Sequence, residues 1–154
     1  MNIKNSSKHL KMLKLHHLGY ATDNINSHLK YFLKFSIIEE CEYTFDDIEQ
    51  NVRVKFVLLP NDIRVELIET LDSKKYSPLS RFIKNNVSGF HHLCFESPDI
   101  NQSILAMADE NFRLISKSDN GFEGRKIRFF LPKGNPDGPL IEIVSEKLAS
   151  AELI

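Results

Sequence analysis

The stretch Leu13–Thr22, "LKLHHLGYAT", is echoed by Gly89–Pro98, "GFHHLCFESP". Four of the six histidines of the chain stand in these two HHL triplets. A lone histidine in an apolar strand is usually a satisfied core residue. An adjacent pair written twice in the same apolar context marks an internal duplication.

Working outward from each triplet, the same pattern recurs. After the first come a turn region, "TDNINS", and a helix-like run, "HLKYFLKF". In that run Leu29, Phe32 and Leu33 fall at the three-and-four spacing of one apolar face. After the second come "SPDINQS" and "ILAMADENF", with Ile104, Leu105 and Ala108 on a comparable face. Asp23 and Asp99 each precede a helix and are expected to cap it. Three strand-like segments then follow in each half: "FSIIEECEYT", "VRVKFVLLP" and "IRVELIET" in the first, "FRLISKS", "RKIRFFLP" and "PLIEIVS" in the second. Their β-branched and aromatic content, bounded by Asn-Asp, Gly and Pro, favours strands. The expectation is an α+β chain of two tandem βαβββ modules.

The predicted organisation is a flexible lead over residues 1–12, one domain over 13–146 and a tail over 147–154. Within the domain, module one spans 13–72, a linker with a short apolar helix at Leu79–Ile83 spans 73–88, and module two spans 89–146. Met12 is a candidate alternative start.

The composition narrows the function classes. At 154 residues, 42% hydrophobic and 27% charged, the chain has the balance of a globular domain. A formal charge of −1 argues against nucleic-acid or membrane-surface partners, which need a basic footprint. No apolar run approaches a membrane span, and the first residues lack a signal-peptide pattern. Two cysteines, Cys41 and Cys94, fit a reducing, cytoplasmic setting.

The repeat also carries chemistry. Glu66 lies in "VELI" and Glu142 in "IEIV", each flanked by aliphatic residues; His17 to Glu66 is 49 residues and His92 to Glu142 is 50. A carboxylate embedded in an apolar strand is costly unless it is paired or binds a metal. Two histidines and two such carboxylates, related by the duplication, suggest four ligands of one ion. Imidazole nitrogen and carboxylate oxygen suit Zn, Co, Mn, Ni or Fe as the divalent ion. Strand alternation puts Leu15, His17 and Gly19 on one face and His16 and Leu18 on the other, and likewise separates His92 from His91. It does not select which histidine of each pair is the ligand; the other is placed to fix a ligand's tautomer.

Most of the chain from Leu13 to Val144 resembles the vicinal oxygen chelate superfamily of glyoxalase I, extradiol dioxygenases and bleomycin-resistance proteins. Within it the chain is most similar to the methylmalonyl-CoA epimerases. The resemblance rests on "LHHLGYAT", "QNVRVKFVLLPNDIRVELIETLD", "SPLSRFI", "GFHHLCFESPDI" and "PLIEIV". It implies that two βαβββ modules close a cupped, barrel-like mixed sheet around one divalent metal held by His17, Glu66, His92 and Glu142.

The resemblance further implies an epimerase or isomerase acting through an enolate chelated by its oxygens, on a small carbonyl or thioester substrate. Glu142 is then the proton-transferring carboxylate, with Glu66 the second catalytic candidate. A homodimer is the expected assembly. Epimerases carry Gln where this chain has Glu66, and the His/Glu/His/Glu set looks more like glyoxalase I. A glyoxalase I-like lactoylglutathione lyase is therefore the alternative enzyme, and a metal-free resistance-type binding module the alternative outside catalysis. Arg53 and Lys55 read as solvent-facing strand charges. Arg125, Lys126, Arg128 and Lys133 are candidates to receive a substrate phosphate or carboxylate. Cys94 reads as a small buried filler.

Overall fold

The computed structural model describes residues 8–35, 38, 40–86, 88–116, 121–134 and 138–147. Their elements are β1 (Lys14–Ala21), α1 (Ile25–Phe35), β2 (Glu40–Asp47), β3 (Val52–Leu59), β4 (Ile63–Thr70), α2 (Ser80–Asn86), β5 (Gly89–Ser97), α3 (Ile100–Asp109), β6 (Phe112–Leu114), β7 (Ile127–Pro132) and β8 (Leu140–Ser145). A 3₁₀ turn covers Phe122–Gly124. The two runs β1-α1-β2-β3-β4 and β5-α3-β6-β7-β8 are the two βαβββ modules.

By contacts the chain divides into two compact units, one formed by His17–His92 and the other by Met1–His16 with Leu93–Ile154. The division falls within β1 and β5, at the histidine pairs themselves.

In the unit His17–His92 the strand order is β2-β3-β4-β1. Strands β2, β3 and β4 run antiparallel as a meander, and β1 lies parallel to β4 with Gly19 opposite Glu66. Strand alternation sorts the faces. Val57, Val65 and Leu67 form a buried cluster with Ile25 of α1, and Tyr20, Leu29 and Phe32 pack against it. The alternate residues Phe56, Glu66, His17 and Gly19 are thereby turned to the opposite face. Residue Phe56 stands directly across from Glu66 in the β3–β4 register.

The other unit repeats this plan, with strand order β5-β8-β7-β6. Ile100 and Met107 of α3 are buried with Phe130 and Ile143, with Phe95, Ile104 and Phe112 alongside. On the other face Cys94, Ile127 and Val144 cluster with Phe129. Phe129 stands across from Glu142 in the β7–β8 register, as Phe56 does from Glu66.

Several local expectations are corrected. Helix α1 begins at Ile25 and buries Ile25, so its inner face runs 25, 29, 32 and leaves Leu33 57% exposed. Helix α3 likewise starts at Ile100 and buries Ile100, Ser103, Ala106 and Met107, leaving Leu105 and Ala108 outside. The helices start earlier than their first apolar clusters suggest, and this turns the buried face of each. Asp99 does cap α3, accepting from the N–H groups of Asn101 and Gln102. At α1 the cap is Asn24 rather than Asp23: its Oδ1 accepts from the Ser27 N–H at 2.8 Å. The Glu69 carboxylate supplies the negative charge there, accepting from the Ile25 N–H at 2.7 Å.

Of the lead, residues 1–7 lie outside the described residues. Leu10 and Leu13 pack against the Ile100–Met107 cluster, and the His9 ring meets Ser103 Oγ at 3.0 Å. Parts of two expected strands, residues 36, 37 and 39 and residues 117 and 118, also lie outside, as do 148–154 of the tail. Among the described residues no helix is long and apolar enough to cross a membrane.

The β2–β3 hairpin is tied down by Asn51, which takes a φ of 56°. Its Nδ2 donates to the carbonyls of Asp72, Lys75 and Tyr76, and its Oδ1 accepts from the Asp72 N–H. Replacing Asn51 with Gly keeps the positive φ accessible but removes these bonds from a buried position. Asn51→Gly should lower stability in urea unfolding by about 1–3 kcal/mol.

Candidate metal centre

Three of the four residues singled out by the repeat meet inside the unit His17–His92. His17 projects from β1, Glu66 from β4 and His92 from the first half of β5. His17 Nε2 lies 3.2 Å from His92 Nε2. Glu66 Oε2 lies 3.2 Å from His92 Nε2 and 3.7 Å from His17 Nε2. The two imidazoles are about 1% exposed and Glu66 8%. Three donor atoms therefore form a buried triangle. Its sides are close to the ~3.3 Å that separates ligands bonded at about 2.0–2.1 Å to a tetrahedral ion. The donor types, two imidazole nitrogens and a carboxylate oxygen, suit a borderline divalent metal.

Glu142 belongs to the other unit. It is 4% exposed and holds on β8 the position that Glu66 holds on β4, a carboxylate opposite a phenylalanine on the face turned away from the helix.

The triangle sits on a specific floor. A Cβ built on Gly19 would lie 2.0–2.3 Å from three atoms of the His92 ring. The His92 ring thus occupies the space that any side chain at 19 would fill. Phe56 presents its ring to His17 edge-on, with centroids 5.2 Å apart. The Arg64 guanidinium lies 4.2 Å above the same Phe56 ring and pairs with Glu42, its Nε donating at 2.9 Å. His91, also buried, approaches His92 through Nδ1 and packs edge-on against Phe82.

The paired histidines behave differently in the two halves. His16 is half-buried, and its Nε2 accepts from Arg125 Nη1 at 3.0 Å. Arg125, a candidate for substrate anions, is spent inside its own unit: it is 5% exposed, donates to the Ser145 carbonyl and pairs with Glu96. Arg128 donates to the Ile127 carbonyl. Lys126 and Lys133 are exposed. Arg53 is fixed on the far side of β3 by Asp46, to which its Nε donates at 2.7 Å, and by Glu69. That hydrogen bond holds the Asp46 carboxyl below the usual carboxylate range. Lys55 reaches Thr44 at 3.4 Å. Cys94 is fully buried among Ile127 and Val144.

Gly19, Phe56 and the Arg64–Glu42 pair were not singled out in the sequence. Gly19 left a readable sign, because a glycine in the interior of a strand, here between Leu18 and Tyr20, often marks a close approach.

The model of the glyoxalase/bleomycin resistance protein/dioxygenase superfamily matches residues 14–129. The chain belongs to this superfamily. Over 132 residues it is 31% identical to the mitochondrial methylmalonyl-CoA epimerase of Dictyostelium discoideum, covering 84% of this chain and 76% of that protein. Among solved structures, a hypothetical protein from Bacillus halodurans matches with a TM-score of 0.74 and 23% identity, over 90% of this chain and 98% of that one. A variant of Streptomyces coelicolor methylmalonyl-CoA epimerase in complex with 2-nitronate-propionyl-CoA matches with a TM-score of 0.66 and 21% identity, over 86% of this chain and 96% of that one. The fold is that of the vicinal oxygen chelate proteins.

The close fit of His92 over Gly19 makes a sharp test. Gly19→Ala should push the His92 ring off Glu66, visible in a crystal structure. It should also destabilise the protein in urea by about 1–3 kcal/mol, the usual cost of overfilling a packed site. An unmoved His92 with unchanged stability would remove the floor role assigned to Gly19.

Proposed function

We propose that the protein is a metal-dependent epimerase of an acyl-CoA thioester, with His17, Glu66, His92 and Glu142 as the ligands of one divalent ion. The observation that carries this reading is the buried triangle of His17, Glu66 and His92. A buried carboxylate beside two imidazoles is a costly arrangement that a cation would relieve. Glu142 joins the set through the repeat, since Phe129–Glu142 reproduces the Phe56–Glu66 register. The epimerase names carried by relatives support the reaction class.

A divalent ion in such a site would supply Lewis acidity, favouring negative charge on two neighbouring oxygens of a substrate. The chain's own residues do the remainder. Glu142 takes the proton from the carbon between the thioester and a second carbonyl group, and returns it. Glu66 remains a ligand and lowers the net charge of the site. The Phe56 ring, on the same face as Glu66 and edge-on to His17, is an apolar wall that keeps water from the reacting carbon. Return of the proton to the opposite side calls for a second acid–base group. Glu42, paired with the Arg64 guanidinium that lies over Phe56, is the candidate for that group.

The presence of Glu rather than Gln at position 66 favours one other reading, a glyoxalase I-like lyase acting on a thiol adduct. Formation of a thioester from a glutathione hemithioacetal by the zinc-, nickel- or cobalt-loaded protein would select it.

The base assignment is tested by α-proton exchange of methylmalonyl-CoA in D₂O, followed by NMR with metal content measured in parallel. Glu142→Gln keeps an oxygen donor but loses the proton acceptor, so exchange should fall at least ~10²-fold while metal content falls only modestly. Glu66→Gln should retain exchange, because removing one negative ligand makes the ion a stronger Lewis acid. The reverse pattern would move the base to Glu66.

A further inference from the structure

The two histidine pairs are not equivalent, and the difference falls at the ring atom that matters for a ligand. In the first pair His16 turns to Arg125. In the second, His91 Nδ1 lies 2.9 Å from His92 Nδ1, while His92 Nε2 faces Glu66 and His17. One nitrogen of His92 therefore points into the donor triangle and the other to its own neighbour.

A neutral imidazole carries one N–H and one lone pair. For the His92 Nε2 lone pair to face a cation, the proton must sit on Nδ1, and it needs an acceptor in a site that water does not reach. We propose that His91 is a positioning residue: its Nδ1 accepts the His92 Nδ1–H, locking His92 in the tautomer that offers Nε2 to a metal. His91 is suited to this by its surroundings. It is 6% exposed, and its ring is packed edge-on against Phe82 with centroids 5.1 Å apart. Gly19 clears the space into which the His92 ring is oriented. Outer partners of this kind set both ring orientation and ligand basicity. This role rests on the metal reading above, and it adds a residue which that reading does not use.

The test compares two substitutions at 91 that separate hydrogen bonding from packing. His91→Leu fills the space against Phe82 but accepts no hydrogen bond; His91→Asn loses bulk but keeps an acceptor oxygen near the same place. Zinc affinity is measured by competition with a chromophoric chelator, and the zinc-loaded protein is examined by NMR for an exchange-protected ring N–H of His92. The Leu variant should bind zinc about 10–100-fold more weakly and lose the protected N–H. The Asn variant should bind within a few-fold of the wild-type protein and retain it. Circular dichroism of the metal-free proteins checks folding, and His91→Met replaces the Leu variant if that one does not fold. Equal affinity in the Leu and wild-type proteins overturns the role of His91 and leaves the metal reading intact. The same is true if the Asn variant is the weaker of the two, because packing is then what counts. Wild-type protein that takes up no zinc, cobalt, nickel or manganese overturns both.

Discussion

A carboxylate held out of water between two imidazoles is the constraint on which the unit His17–His92 is organised. Leaving water costs an ionised carboxylate several kcal/mol even in a relaxed protein, so Glu66 can occupy β4 only where compensation is built around it. Strict strand alternation provides the means. Val65 and Leu67 go to the helix, Glu66 goes to the other face, and the parallel neighbour β1 delivers His17 and the bare backbone of Gly19 to that same face. The His92 ring then lies over Gly19. A β-branched residue at 19 would be the ordinary choice for a strand, and it would leave no room for the ring.

Duplication explains why so specialised a set of residues occurs twice. Each module places a carboxylate across an antiparallel pair from a phenylalanine, with its helix on the opposite face. What surrounds that shared frame has diverged. Helix α1 is opened by Asn24 and the remote Glu69, and α3 by its own Asp99. His16 is built into an Arg125–Glu96 network, whereas His91 turns its Nδ1 to His92. The core pattern is the part that folding requires in both halves; the outer contacts are where one half could be tuned without the other.

The donor set has consequences for chemistry. If the proposed set of two carboxylates and two imidazoles holds a divalent ion, its charges balance, and a neutral amide in place of Glu66 would leave more positive charge on such a site. One fold hosts many functions, so the fold of the superfamily does not by itself select a reaction; under the function proposed above, that choice falls to side chains such as Glu66.

Much of this was legible in the chain itself. The strand Ile63–Thr70 was read residue for residue, and the two-module plan, the buried carboxylates and the filler role of Cys94 all followed from local patterns, because alternation and apolar flanks are properties of neighbouring residues. Helix faces were read less well: Leu33 and Leu105 look like core positions until the true helix starts, at Ile25 and Ile100, set the angular phase. The strand pattern separated His16 from His17 and His91 from His92 but did not decide which would meet Glu66. That was decided by the tertiary structure, through the register of β1 on β4 and the approach of β5 to Gly19. The fate of Arg125 was decided the same way. A guanidinium in "FEGRKIRFF" reads as available charge, and only packing against Glu96, Ser145 and His16, none of them near it in sequence, shows it to be consumed. Periodicity assigns a side chain to a face; what stands opposite that face depends on segments far away in the chain.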